Sequence, residues 1–596
     1  MSVLQNPKVD PFLALNQQVL AELVTFVDFA EGLTIGFVEV NFAADGDVLI
    51  ESLRQHPACE GIRFEVLNLS RQPDLRFLLD ELVQRLSKLE QVADQKRVLI
   101  VRGLEIAIGT DGVGAYPPVL QDLNFVRDAY RTSVPHPILF MLPDYAITRI
   151  AKYAPDFWAW RSGVFVFKTP EHTREALRLE VMDAPTPFIA SVENQEQIEQ
   201  LKQLLMEYHP SGQTLTLENQ SICADLYYKL GSAYLTQRQA TKAQDYLAEA
   251  LKLAQRREDR TLQQSVYSKL GEAYLQSRQF DDAIAAYSAS KELAEVTGNQ
   301  SQVATALYNL GNVALEQRQF QQAERYYQQC LELEKTQNDR YSQASTYHNL
   351  GAIALLLQKF DEAQRYHQQA LEIYIEYGDR YKQARTYHQM GIVAQKLREF
   401  DEARRYYQLA LEIFIEYGDR YSQASSHHNL GIVAQELGEF EEAQRNYQQA
   451  LEIYIEYGDH YSQASTYHQM GVVAQKLGEF EEAQRDYQQA LNIKIEYGDR
   501  YSQASTYHQI GTVAQELGEF EEAQRNYQQA LSIYIEYGDR YSQASTYFNL
   551  GSLTETEGNL PEAKANFEQA LERYQEFQDD YWANETKERI QNLGQL

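Results

Sequence analysis

The chain has 596 residues, 85 of them acidic and 54 basic, for a formal net charge of −31, and 44% of its residues are hydrophobic. That length exceeds what one ordinary core supports and implies several domains or a repeat array. Both halves are acidic, net −11 up to Gln220 (30 acidic, 19 basic) and −20 from Ser221 (55 acidic, 35 basic), which argues against nucleic acid or an anionic membrane as the main partner.

Cys59, Cys223 and Cys330 are isolated and lack the spacing of a zinc site or a disulfide framework, so a reducing compartment is expected. The opening MSVLQNPKVD has no secretory pattern, and no run approaches the roughly 20 apolar residues of a membrane helix. A soluble, cytoplasmic protein is expected. Fourteen of the 15 prolines lie at or before Pro210, whereas 37 of the 42 tyrosines lie after Ser221. A nearly proline-free half is what uninterrupted helices require.

In chain order, five short apolar runs come first: Thr34 to Val40, Ile62 to Leu69, Arg97 to Val101, Pro137 to Leu142 and Val164 to Phe167. Helical spacing of apolar residues separates them over Phe12 to Ala30, Asp74 to Val92 and Pro118 to Thr132. This alternation predicts an α/β domain with a mainly parallel sheet over residues 1–168.

The layout over roughly residues 12–168 resembles the P-loop nucleotide-binding core of the AAA and STAND regulatory ATPases. That resemblance implies a phosphate loop after the first strand and a magnesium-binding acid on the third. A working loop reads GxxxxGK and then Ser or Thr: amides cradle the phosphates, lysine neutralises them, and the hydroxyl holds magnesium. Here the place reads NFAADGDV, Asn41 to Val48. Gly46 is retained, but Asp47 replaces the lysine and Val48 the hydroxyl, and the third strand ends in Arg102 and Gly103, with Glu105 the nearest acid. An aspartate beside a triphosphate reverses a favourable charge contact, and phosphoryl transfer loses its parts together. The expectation is a degenerate domain without cofactor or metal that serves association or regulation. Arg149 and Arg161 are candidate remnants of a nucleotide sensor, and Trp158 and Trp160 are expected as core or interface aromatics.

Residues 169–220 are expected as a helical connector: Glu171 to Met182, then Pro185 and Pro187, a run from Ser191 to Tyr208, and a Pro210-Ser211-Gly212 turn. Leu201, Leu204 and Leu205 form a face suited to packing on the first unit of the C-terminal half.

From Ser221 a glycine recurs every forty residues, at Gly231, Gly271, Gly311, Gly351, Gly391, Gly431, Gly471, Gly511 and Gly551. Such a period signals a solenoid. Within a unit, Ala344, Tyr347, Leu350, Ala354 and Leu357 fall on one helical face, and Ala363, His367, Ala370, Tyr374 and Tyr377 on another, so each unit is two antiparallel helices. Gly378 suits a left-handed helix end and Asp379 the start of the next.

The pattern Leu350-Gly351, Ala363, His367 and Ala370, repeated as Leu430-Gly431, Ala443, Tyr447 and Ala450, resembles the tetratricopeptide repeat. The forty-residue period, and Ile375 in place of the usual closing proline, suggest a lengthened second helix, as in the repeats of kinesin light chains. The resemblance implies nine units over residues 221–577 and a capping helix over 578–596, an all-α superhelical solenoid after the α/β domain.

The resemblance implies that first helices line a concave face that grips peptides or partner helices. Carried over by position, the peptide-facing candidates are His348, His388, His428, His468 and His508, with Asn349, Gln389, Asn429, Gln469 and Gln509 beside them, and Arg385, Lys396 and Lys476 as positive charges. Tyr308 precedes the histidine row and Phe548 comes after it, while Glu436 and Glu516 alternate with the lysines. The histidines belong to separate units whose helices pack about 8–10 Å apart, too far to share one metal. No HExxH, nucleophile elbow or intact phosphate loop is present. The expectation is a non-enzymatic scaffold that binds a protein or peptide, with self-association of near-identical units, a homo-oligomer, as an alternative and a nucleotide-regulated STAND-like switch as the rival reading.

Overall fold

The computed structural model describes residues 10–72, 74–89, 95–109, 117–125, 127–183, 192–209, 215–217 and 219–594. The chain forms two compact bodies, residues 1–298 and 299–596.

The first body begins with a five-stranded sheet, β1 (Ile35–Glu39), β2 (Arg63–Asn68), β3 (Arg97–Arg102), β4 (Ile138–Leu142) and β5 (Arg161–Val166), in the order β2-β3-β4-β1-β5. Every pairing is parallel. Parallel strands covered on both faces read as continuous apolar runs, and β4, ILFML, is buried throughout. Phe37, Val101 and Phe140 face one apolar cluster, and Val38, Ile100 and Leu139 the other. Each strand lies within one to three residues of its sequence expectation, β5 starting earliest, at Arg161.

The helix expected over Asp74 to Val92 spans Leu78–Ser87, Val92 lying outside the described residues, and two other expectations are modified. The run from Phe12 breaks at Asn16 into Pro11–Leu15 and Gln17–Phe29. The buried Asn16 amide donates to the Phe12 and Lys168 carbonyls and accepts from the Lys168 amide, tying the helix break to the strand that leaves the sheet. Second, the stretch after β1 is a helix, Ala43–Gln55, rather than a loop.

Helices Glu171–Asp183 and Val192–Tyr208 come next; Pro185, Pro187, Ser191 and the Pro210-Ser211-Gly212 turn lie outside the described residues, as do the first nine residues. Val181, Ile198, Leu201 and Leu204 share one core with Leu226, Leu230 and Leu247 of the first repeat, and Phe42 of the α/β domain joins it. Two helix pairs complete this body, Asn219–Thr236 with Ala240–Arg256 and Arg260–Gln276 with Phe280–Thr297.

The second body is seven further pairs, from Gln300–Glu316 with Phe320–Thr336 to Arg540–Thr556 with Leu560–Glu576, closed by helix Asp580–Leu593. In most units the first helix is capped by the preceding Asp or Asn, as when Asp379 accepts from the Lys382 amide at 3.0 Å, and Gly378 stands at φ 68°. In every unit but the first, where Leu247 takes the place, the repeat glycine marks where a ring lies against the first helix. A Cβ on Gly431 would meet the Tyr447 ring at 2.6 Å, and one on Gly391 the Tyr407 ring at 2.6 Å. Ala344, Tyr347, Leu350, Ala354, Ala363, His367, Ala370 and Tyr374 are buried. Tyr377 is not: half its surface is exposed, and its ring leans on Tyr341 at 5.4 Å.

Candidate functional site: the first-helix face of the repeats

The histidine row joins consecutive units. Each ring presents Nδ1 to a hydroxyl on the next first helix: His348 to Thr386 at 3.2 Å, His388 to Ser426 at 3.4 Å, His428 to Thr466 at 3.0 Å, His468 to Thr506 at 3.3 Å and His508 to Thr546 at 3.1 Å. The same hydroxyls donate their one hydrogen to the carbonyl four residues back, as Thr386 does to Lys382 at 2.9 Å and Ser426 to Ser422 at 3.0 Å. A hydroxyl has a single hydrogen, so the histidine must carry the proton on Nδ1 and donate it. Nε2 is then an acceptor, and the Asn429 amide donates to Nε2 of His388 at 3.3 Å and that of Asn549 to His508 at 3.1 Å.

These rings are half-buried and, apart from His348 on His367, pack on the unit's own tyrosine, as His388 does on Tyr407 at 5.3 Å and His508 on Tyr527 at 5.5 Å. Burial pulls all five to about 4, with Arg385 and Lys382 adding to the effect at His348 and Lys494 at His468. They are neutral at pH 7. His367, which replaces the ring tyrosine of its unit, is fully buried, has no partner on either nitrogen and is pulled to about 3 by burial and then by His348.

The other candidates divide by exposure. Asn349 donates to the Tyr308 hydroxyl at 3.0 Å; Gln389, Gln469 and Gln509 stand half-buried in the same row; Arg385, Lys396 and Lys476 are exposed, as are Glu436 and Glu516. The residues that vary between units are thus largely the open ones. No group of three or more metal-ligating side chains occurs among the described residues.

In the α/β domain, Asn41 accepts from the Asp144 amide at 3.0 Å and donates to Glu207 at 2.5 Å. Gly46 and Val48 lie within helix Ala43–Gln55, and the Gly46 amide is bonded to the Phe42 carbonyl at 3.2 Å. Asp47 forms an ion pair with Arg102 at the end of β3. Arg149 donates to the Gly109 carbonyl at 3.0 Å and Arg161 to that of Trp158 at 3.0 Å. Trp158 packs on Phe37 at 4.8 Å, and Trp160 also packs against the core. Burial, then Asp144 and Glu207, raise Glu39 to about 7.

Sequence reasoning missed two positions. In most units the second helix carries an aromatic that plugs the space between successive first helices; Tyr374 reaches the Ser345 hydroxyl at 3.2 Å and Tyr574 that of Ser545 at 3.3 Å. Besides Ala254 and Ala294 in the first two units, the place is taken by Glu334 in one unit and Lys494 in another. Each opens a cavity, of about 280 Å³ over Glu334 and about 200 Å³ over Lys494. The substitutions were readable in the sequence, forty residues from their tyrosine equivalents, but nothing local marked the position as a plug.

A family description, tetratricopeptide repeat, matches residues 262–335, 342–416, 422–496 and 502–576, and a second with the same description matches 224–257. Among solved structures, the chain is similar to a STAND protein with a tetratricopeptide repeat sensor from Pyrococcus horikoshii, at 12% identity over 95% of this chain and 97% of that one, TM-score 0.45. It is also similar to the apo form of RapI, at 17% identity over 46% and 99%, TM-score 0.39. A third is a putative kinesin light chain with nearly identical repeats from Podospora anserina, at 20% over 33% and 98%, TM-score 0.30. No curated protein matches.

Proposed function

We propose, from the premise that this chain belongs to the tetratricopeptide repeat family, that it is a non-enzymatic scaffold whose first-helix face binds an extended peptide or a helix. The observation that carries this reading is the separation of roles along the repeats. The ring, glycine and alanine positions are buried, whereas Arg385, Lys396, Glu436, Lys476 and Glu516 differ between units and are exposed. A surface that varies over a uniform frame is suited to selecting a partner. His348, His388, His428, His468 and His508, with Asn349, Gln389, Asn429, Gln469 and Gln509, form the uncharged floor of that face and Arg385, Lys396 and Lys476 its charged contacts.

The α/β domain serves association or regulation in this reading. Asp47 and Arg102 stand in reversed sense to the cation and acid of a working phosphate site and neutralise each other. A helix begins at Ala43, so the amides from Gly46 onward, those of the Gly-Lys-Ser/Thr place, are engaged in helical bonds. The rival reading, a nucleotide-regulated switch, requires nucleotide to bind there. Calorimetry of the full chain with ATP and ADP, with and without magnesium, tests it: no magnesium-dependent heat is expected, and micromolar magnesium-dependent binding would overturn the scaffold reading in favour of the switch.

A further inference from the structure

The cavity over Glu334 is built by the loss of two tyrosines. Glu334 stands where Tyr374 and Tyr454 stand in other units, and Ser301 where Tyr341 and Tyr421 stand. Elsewhere the first-helix tyrosine donates to the capping aspartate of the next unit, Tyr341 to Asp379 at 2.7 Å and Tyr381 to Asp419 at 2.8 Å. At this unit the matching aspartate, Asp339, lines the cavity with Ser301 in the tyrosine's place. Tyr308 and Tyr341 supply aromatic walls.

Glu334 is only 6% exposed. Its Oε1 accepts from the Thr346 hydroxyl at 3.1 Å and the Cys330 thiol at 3.3 Å. Its Oε2 is buried and has no partner. A buried carboxylate oxygen left without a donor is costly, and Glu334 lines a cavity whose wall includes a second carboxylate and two aromatic rings. Those rings suit a cation. A cavity of about 280 Å³ is at the lower edge of small-molecule pockets and takes one alkyl chain with its charged head. The equivalent cavity over Lys494 has the opposite floor: its Nζ donates to Thr506 at 2.8 Å and to the Ser502 carbonyl at 3.3 Å. The two cavities share the missing second-helix aromatic and have floors of opposite sign, although the Lys494 cavity keeps its first-helix tyrosine, Tyr461.

We propose that the Glu334 cavity is a recognition pocket for an alkyl ammonium or guanidinium group, the head of a lysine or arginine side chain on the bound peptide. The group pairs with the Glu334 carboxylate and lies between the Tyr308 and Tyr341 rings, with Asp339 as the second counter-charge. The peptide source rests on the proposed groove; the pocket itself does not.

The test uses the full chain in two arms, a dodecapeptide display library selected on the immobilised protein and titration with agmatine, a free alkyl guanidinium. Selected peptides are expected to carry arginine or lysine at one register position. Replacing that residue by citrulline or norleucine should weaken binding tenfold or more to the natural protein and leave binding to Glu334→Gln unchanged. Glu334→Gln keeps an acceptor for Thr346 and is checked for folding by circular dichroism; Glu334→Tyr, which restores the plug of the other units, should lose the preference equally, and Lys494→Tyr should retain it. Peptides that bind but are indifferent to Glu334→Gln overturn the pocket and leave the groove standing. If no peptide is selected but agmatine binds saturably and Glu334→Gln abolishes it, the pocket stands with a free amine as its source and the groove fails. If neither probe distinguishes Glu334→Gln from the natural protein, the inference is wrong.

Discussion

Replacing the five row histidines by phenylalanine, the residue already present in this row at Phe548, isolates what their protonation does to the array. Phe548 packs on Phe567 at 5.4 Å in the edge-on geometry of the histidine–tyrosine pairs, so the change preserves the contact and removes the titrating ring. Each ring moves from an ordinary 6.5 in the unfolded chain to about 4 in the fold. The folded state therefore binds fewer protons between those values, and stability is lost as pH falls below 6.5, completely so below 4. The full shift corresponds to about 3 kcal/mol per ring. Between pH 7.5 and 5.5 the linkage integral gives about 1 kcal/mol per ring, or about 5 kcal/mol for the row, comparable with the whole stability of a domain. The range stops short of the sequence pI of about 4.9, where the chain loses its charge repulsion. Urea midpoints monitored by circular dichroism at both pH values, for the natural chain and the five-phenylalanine variant, give two pH slopes. The natural chain should lose several kcal/mol more than the variant. Parallel slopes would refute the claim that these rings are held neutral by burial and by an Nδ1-donating tautomer.

Two further substitutions probe the packing. Lys494→Tyr should fill the cavity of about 200 Å³ and remove an ammonium that burial pulls down to about 8. Because that group's folded value lies below its unfolded one, the natural chain gains stability as pH rises from 8 to 10.5. The variant's advantage, about 2 kcal/mol after allowance for partial exposure, should be largest at pH 7 and shrink by pH 10, as read from denaturant midpoints. Gly431→Ala raises helix propensity yet places a Cβ at 2.6 Å from the Tyr447 ring, so it should destabilise its unit by about 1–3 kcal/mol in the same assay; a stabilised variant would contradict the close-approach argument.

The repeat frame was legible in the sequence because its signals are local. Glycine spacing, the small Ala363 and Ala370, the left-handed Gly378 and the capping Asp379 each act within one unit or at its edge. What escaped depends on contacts a unit away. His348 meets Thr386 only once two units are packed, so the sequence shows the row but not that its rings also join units. The tyrosine at 374 becomes recognisable as a plug only beside Glu334 and Lys494, where its absence leaves space. Tyr461, which lines the Lys494 cavity, is 77% exposed against 40–46% for Tyr421, Tyr501 and Tyr541. In the α/β domain the strands were legible from their apolar runs. The Asn41 to Val48 stretch resembles a phosphate loop in its place, but with a single glycine, Gly46, and with Ala43 and Ala44 opening the helix, it has the propensity to enter a helix at once. The Asp47–Arg102 pair joins residues 55 positions apart and shows only when β3 is placed.

The central claim, that the first helices carry the binding face, is tested most directly by photo-crosslinking a library-selected dodecapeptide carrying a diazirine to the full chain and mapping the adducts by mass spectrometry. Adducts should fall on the exposed first-helix residues, Arg385, Lys396, Glu436 and Lys476. Adducts confined to exposed second-helix residues such as Gln408 and Gln448, or to the α/β domain, would contradict the account.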